Sequence, residues 1–220
     1  MWVLPSFDRP VGLQDVAQIA GKVPMLIRLH EGDPQLEEYL AVTWPTPWNV
    51  VVGPQLRLAP TLNWAFEAYP DEPFYALMAD DVHPLTAGWN EKLEEAAGSS
   101  FLAYPDDGFH HQNLCPHHCI GGDLMRAVGW WALPDLIHSF LDTAWFEIGR
   151  ITNRLKYLPD VLLEHRHPIF GKGEMDDTYA FGKDAFSEDR MTFKIWAMGG
   201  GLRKAVEGVR SAGLEEISKA

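Results

Sequence analysis

FYALMADDV, residues 74–82, runs from an apolar segment straight into two adjacent carboxylates, Asp80 and Asp81. Phe74 to Met78 is too short for a helix and follows the turn Pro70 to Pro73, so it reads as a buried strand. Working back from it, Thr61 to Ala68 has helical spacing, Asn49 to Val52 reads as a strand, and Leu36 to Leu40 as a short helix. Val23 to Leu29 is another apolar strand, Leu13, Val16, Ala17 and Ala20 recur at helical spacing, and Trp2 to Leu4 opens the chain as a strand. Alternating strand and helix predicts an α/β fold with a largely parallel, twisted sheet covered on both faces. In such sheets ligands sit at the carboxyl ends of the strands, where Asp80 and Asp81 stand.

Beyond this stretch the pattern loosens. Phe101 to Tyr104 reads as a strand, 105–119 as a polar loop, and Gly122 to Val128 as a short helix. A helix is expected from Asp142 to about Leu155, with Asp142 or Thr143 as N-cap, followed by a strand over Tyr157 to Leu163. After Gly199 to Gly201, an amphipathic tail carries Leu202, Val206, Val209, Leu214 and Ile217, a candidate oligomer contact. We expect one domain over 1–198, with a nucleotide half to about residue 82, an acceptor half over 83–198, and this tail over 199–220.

Composition narrows the function classes. A formal charge of −13 works against affinity built on many nucleic-acid phosphates, although Arg150, Arg154 and Lys156 offer a local basic groove. Two cysteines, Cys115 and Cys119, build no disulfide framework, which fits a reducing compartment. The N-terminal stretch reaches Pro5 and Asp8 too soon for a secretory segment, and no long apolar run follows, so a soluble cytoplasmic protein is expected.

Adjacent carboxylates at the end of a buried strand are costly unless a cation, hydrogen bonds or a shared proton compensates them. Mg²⁺ or Mn²⁺ accepts carboxylate oxygens and keeps positions open for phosphate, and an added imidazole tilts the choice toward Mn²⁺. His165 and His167, two apart, share one face if the strand continues through Arg166. The alternative for Asp80-Asp81 is a solvated turn.

The string FYALMADDVHPLTAGWNEKL, residues 74–93, resembles the strand and metal-binding aspartate motif of A-type (GT-A) glycosyltransferases, in particular small family-two-like phage and bacterial enzymes. YLPDVLLEHRHPIFGKGEMDDTYA, residues 157–180, is similar to their later segment, where a strand ends in a metal-binding histidine, and WVLPSFDRP resembles their first strand and nucleotide-binding loop. The resemblance implies a Rossmann-like GT-A fold and a hexosyltransferase-like enzyme using a UDP-sugar and Mn²⁺ or Mg²⁺. It implies metal binding by Asp80, Asp81, His165 and His167, and donor contacts from Pro5, Ser6, Arg9, Glu31, Asp33, Asp80 and Lys172, with Arg166 beside the phosphates. Val82 departs from the usual acidic third place, leaving open which aspartate touches the metal. Asp142 is the implied base and Glu147 the second choice, with an N-cap as the other role for Asp142.

Other features stay open. HHQNLCPHHC, residues 110–119, has zinc-ligand types but a continuous spacing unlike paired structural sites. Trp89, Trp130, Trp131 and Trp145 are candidate sugar platforms or core residues, Asn63 a nucleotide contact or a cap, and Gly121 and Gly122 points of close approach near the acceptor. The acceptor is a modified nucleobase, protein, lipid or glycan. A non-catalytic nucleotide- or metal-binding protein and a zinc-stabilised interaction module are the alternatives.

Overall fold

A computed structural model describes residues 1–172 and 175–214. In chain order its elements are β1 (Trp2–Pro5), α1 (Pro10–Ala20), β2 (Met25–His30), α2 (Leu36–Ala41), β3 (Trp48–Gly53), α3 (Leu58–Ala68), β4 (Phe74–Leu77), β5 (Val82–Pro84) and α4 (Trp89–Ala97). Then follow β6 (Leu102–Asp106), β7 (Cys119–Gly121), α5 (Gly122–Val128), α6 (Leu141–Thr152), β8 (Leu155–His165), α7 (Asp177–Met198) and α8 (Gly201–Ser211). Among the described residues the strands form one sheet in the order β3-β2-β1-β4-β7-β6-β8-β5. β1 to β4 are mutually parallel, β7 is antiparallel to β4 and β6, β8 is parallel to β6, and β5 is antiparallel to β8.

The period-2 alternation of a strand explains why both faces are covered. In β1, Trp2 and Leu4 enter one core while Val3 enters the other; in β4, Tyr75 and Leu77 face the opposite way from Ala76. Chain order reverses between β1 and β4, so a crevice opens at their carboxyl ends.

Four elements escaped the sequence reading, among them β7, whose three residues begin in the stretch read as a polar loop. β5 is only three residues, and α4 buries just Trp89, Leu93 and Ala97. α7 turns Gly182, Ala185 and Asp189 inward, small or polar residues that give no apolar stripe to read. α6 begins at Leu141 with Phe140 as its N-cap, which corrects the expected cap at Asp142 or Thr143; Leu155 already belongs to β8. The tail from Gly201 is α8, packed on α5, α6 and α7 with Val206 and Val209 buried within the chain. Ile217 lies outside the described residues. No helix among the described residues is long and apolar enough to cross a membrane.

Candidate functional site

A cavity of about 760 Å³ opens at the carboxyl ends of β1 and β4. Its floor on the β1 side is the loop Pro5, Ser6, Phe7 and Arg9, and Asp80 and Asp81 face it from the loop after β4. Gly12 allows this closeness: a Cβ there would stand 2.8 Å from the Asp80 carbonyl oxygen, so glycine lets α1 approach the carboxylate loop.

The two aspartates have different partners. Asp80 is buried; its Oδ2 accepts from Ser6 Oγ at 2.7 Å and its Oδ1 from Arg9 Nη1 at 3.1 Å. Since Ser6 gives its proton to Asp80, the Tyr39 hydroxyl, 2.7 Å away, donates to Ser6. Asp81 Oδ2 accepts from the Tyr179 hydroxyl at 2.7 Å and lies 3.3 Å from His165 Nε2 and 3.8 Å from Arg9 Nη1. Burial, then the Asp81 charge, pushes Asp80 up to about 6. Burial opposes ionisation of Asp81 too, but His165, Tyr179 and Arg9 outweigh it and hold that carboxyl well below the usual range.

Strand pairing puts His165 there. A register shift between Pro105 and Asp106 lets β8 leave β6 and pair with β5, where Val82 sits opposite His165, so the imidazole reaches the residue before Val82. The Arg166 amide also donates to the Asp81 carbonyl at 2.8 Å. β8 ends at His165, short of the continuation through Arg166 that the sequence reading used. His167 nevertheless lines the cavity, its ring centroid 5.3 Å from that of His165 and 4.3 Å from that of Tyr179.

Arg9 joins the site to α7. It forms a bidentate pair with Asp176 at 2.7 Å on both arms, while its guanidinium lies 3.9 Å from the centre of the Tyr179 ring. Farther along α7, fully buried Asp189 accepts the backbone amides of Ile137, His138 and Ser139 at 2.7–2.9 Å, fixing a loop that lines the cavity.

Asp142 also lines the cavity; its Oδ1 accepts from Thr143 N at 2.7 Å, and burial pushes its carboxyl up from its ordinary value. The preceding Phe140 holds φ at 66°, a left-handed conformation that costs a bulky residue about 1–3 kcal/mol. Its ring is held by Phe186 and Phe193, at centroid distances of 5.0 and 5.6 Å.

Of the residues singled out from sequence, Pro5, Ser6, Arg9, Asp80, Asp81, Asp142, His165 and His167 therefore meet around one cavity. Others fall outside its wall. Glu147 pairs with Arg150 at 2.6 Å, and Lys172 with Glu164 at 3.0 Å. Glu31 is exposed, and Asp33 is buried under the loop after β1, accepting from the amides of Asp8 and Gln35. Arg154 and Lys156 lie over Phe101 rather than in a groove on the cavity.

The tryptophans are core, which corrects their candidacy as platforms: Trp89, Trp131 and Trp145 are buried and Trp130 packs on Trp145 and Trp196. Asn63 latches the 131–132 backbone, accepting from both amides and donating to the Ala132 carbonyl. Gly121 and Gly122 press against Ser99 and Glu72 beside Phe74, the amino end of β4, away from the cavity.

The histidine–cysteine run disperses. Cys115 and Cys119 are free and buried. His110 and His111 pair with Asp107 and Asp106, and His118 donates Nδ1–H to the Cys115 carbonyl while Nε2 accepts from Trp131. His117 is the member that sequence reasoning missed as a site residue. It lines the cavity, its ring centroid 4.8 Å from that of His165, and neither ring nitrogen has a hydrogen-bond partner. Burial lowers it to about 3, so it stays neutral. The signal was the run itself, which could not say which imidazole turns inward.

Among the described residues no three carboxylate, imidazole or thiol groups form a ready-made metal centre. The residues fit part of one. Asp81 Oδ2 and His165 Nε2, 3.3 Å apart, have about the spacing of adjacent ligands on an ion bound at ~2.1 Å, and the orphaned nitrogens of His117 lie beside them.

No protein-family model matches the sequence, and no curated protein matches it. Solved structures do. A mannosyltransferase, PcManGT from Pyrobaculum calidifontis in complex with GDP-Man and Mn²⁺, superposes with a TM-score of 0.56 at 9% identity, covering 96% of this chain and 72% of that one. S. aureus TarS 1-349 gives a TM-score of 0.51 at 10% identity, covering 74% of this chain and 58% of the other. The chain has the GT-A-like α/β fold expected from its sequence.

Proposed function

We propose that this chain is a glycosyltransferase that moves a sugar from a nucleotide-sugar to an acceptor hydroxyl across this cavity. The observation that carries the reading is the cavity itself, whose wall brings Asp80, Asp81 and His165 together with a separate, half-buried carboxylate, Asp142. Sugar transfer with inversion needs these two centres. Negative charge on the departing nucleoside diphosphate must be neutralised, and a base facing it must take the acceptor proton.

Asp81 and His165 would hold a divalent ion, with Asp80, His167 and His117 beside it. The bound ion supplies Lewis-acid stabilisation of the diphosphate charge. Arg9 contributes a fixed positive charge at the same end, since Asp176 and Asp80 hold its guanidinium protonated despite burial. Pro5 and Ser6 shape the floor where the nucleotide lies. Asp142, on the same cavity wall, takes the acceptor proton. Residues up to about 82 build the donor half and later ones the acceptor half. The donor is a UDP-sugar on the sequence resemblance, while the mannosyltransferase with GDP-Man and Mn²⁺ makes a GDP-sugar the other choice and supports manganese. Free, buried cysteines support a cytoplasmic location.

One observation favours a second reading, binding without turnover: Arg9 already lies against both aspartates, 3.1 Å from Asp80 and 3.8 Å from Asp81. Slow donor hydrolysis separates the two. Purified protein is incubated with UDP-, GDP- and TDP-sugars with and without Mn²⁺, and nucleoside diphosphate is measured. We expect Mn²⁺-dependent release from one donor, reduced ~10²–10³-fold in Asp81→Ala. Nucleotide binding without release would establish the second reading, and silence in both assays would remove both.

A further inference from the structure

Around Asp142 the cavity wall carries Leu114, Pro116, Phe140 and Leu141 together with the polar His110, Ser139 and Thr143, and the exposed rings of Phe109 and Phe186 line the same cavity. Phe109 and Phe186 are 54% and 47% exposed, so aromatic surface on the same cavity as the half-buried Asp142 is left in water. Covering that surface with an apolar group is favourable in proportion to the area removed from water. The arginines on the described wall are Arg9, after β1, and Arg57, the N-cap of α3, whose first turn meets the loop before Phe140 where the Ala59 amide donates to the Ile137 carbonyl at 3.1 Å. The neighbouring loop carries Asp106 and Asp107. An anionic body would lie beside the Asp142 carboxylate on leucine, proline and phenylalanine, losing its hydration while facing like charge.

Phe140 adds a second, independent indication. Its strained left-handed backbone is kept while its ring packs, tilted by 41°, against Phe186 of α7, which joins aromatic surface from the loop before α6 to that of α7 along the cavity. Strain of this kind persists where the surroundings over-determine it, and here it sets an aromatic ring two residues from Asp142.

We propose that the acceptor is a neutral alcohol carried on an apolar body, its hydroxyl directed to Asp142 and its body lying on Phe109, Phe140 and Phe186. This rests on the transferase reading above and names its acceptor class. An aliphatic chain and an aromatic ring share the required chemistry.

Binding tests this apart from turnover. Methyl, hexyl and phenyl β-glucosides, the last two below any aggregation threshold, are titrated calorimetrically into the full chain with Mn²⁺ and nucleoside diphosphate present. We expect hexyl or phenyl glucoside to bind at least about tenfold more tightly than methyl glucoside, the effect of burying roughly two methylene equivalents. A preference for hexyl identifies a chain and a preference for phenyl identifies a ring. Phe186→Ser and Phe109→Ser, both at half-exposed positions, should each erase most of that preference while circular dichroism shows an unchanged fold.

Equal binding of all three glucosides, or a preference that survives both substitutions, overturns the inference. So does competition by a short oligonucleotide or acidic peptide that exceeds that of the apolar glucosides. Donor hydrolysis, measured separately, tells whether the transferase reading stands when this one falls.

Discussion

The two ends of the cavity are built on opposite plans. At the β1–β4 end, charge is concentrated and mutually compensated: Arg9, Asp80, Asp81, Asp176 and Tyr179 are linked by contacts of 2.7–3.8 Å. At the Asp142 end a single carboxylate sits among leucine, proline and phenylalanine. A charged leaving group needs fixed counter-charge, whereas a base needs a setting in which its proton affinity rises. The same side chain, aspartate, is thus pushed in opposite directions: burial raises Asp142, and its partners hold Asp81 down.

If this division is right, substitutions at the two ends should fail differently. Asp142→Asn should give the largest effect, a loss of ~10²–10⁴-fold in transfer with donor affinity retained, measured as kcat against donor KM. Equal loss of donor binding would break the comparison by placing Asp142 at the donor end.

Asp189→Ala removes the acceptor of three part-buried backbone amides, so the 137–139 loop should loosen and the fold lose about 1–3 kcal/mol, read by urea denaturation. An unchanged midpoint would mean that α7 does not hold this wall. The pH dependence is subtler. A base acts only when ionised, and burial raises Asp142, so transfer should decline as pH falls through a value above the ~4 of an ordinary aspartate. Donor binding should not follow the same curve. The smallest effect belongs to Glu147→Gln, which removes a surface pair with Arg150 and should leave transfer within about twofold. A large loss there would move the base from Asp142 to Glu147.

Legibility also differed between the ends. β1 to β4 and their helices were readable because each strand is a short apolar run closed by turn residues, and the carboxylates follow the last run directly. Asp80, Asp81 and Arg9 came with them. The chain beyond β5 hid α4 and α7, whose inward faces are short or carry glycine, alanine and aspartate, and it hid Asp189 and Asp176 with them. Four tryptophans offered as platforms went to the core, since a large apolar ring is buried wherever the sheet leaves room, and the wall at Asp142 is phenylalanine instead.

What the sequence determined by itself is what depends on neighbours along the chain: the strand–helix alternation, the carboxylates at a strand end, the paired histidines after the last strand, and a fold in which ligands bind at strand ends. What tertiary structure decided depends on distant segments meeting. The three-residue pairing of β5 with β8 sets His165 beside Asp81, α7 returns Tyr179 and Asp176 to Arg9, and one imidazole of the 110–119 run turns inward. Spacing in sequence carries no information about such contacts, because their register is fixed only when the sheet closes and the helices pack on it.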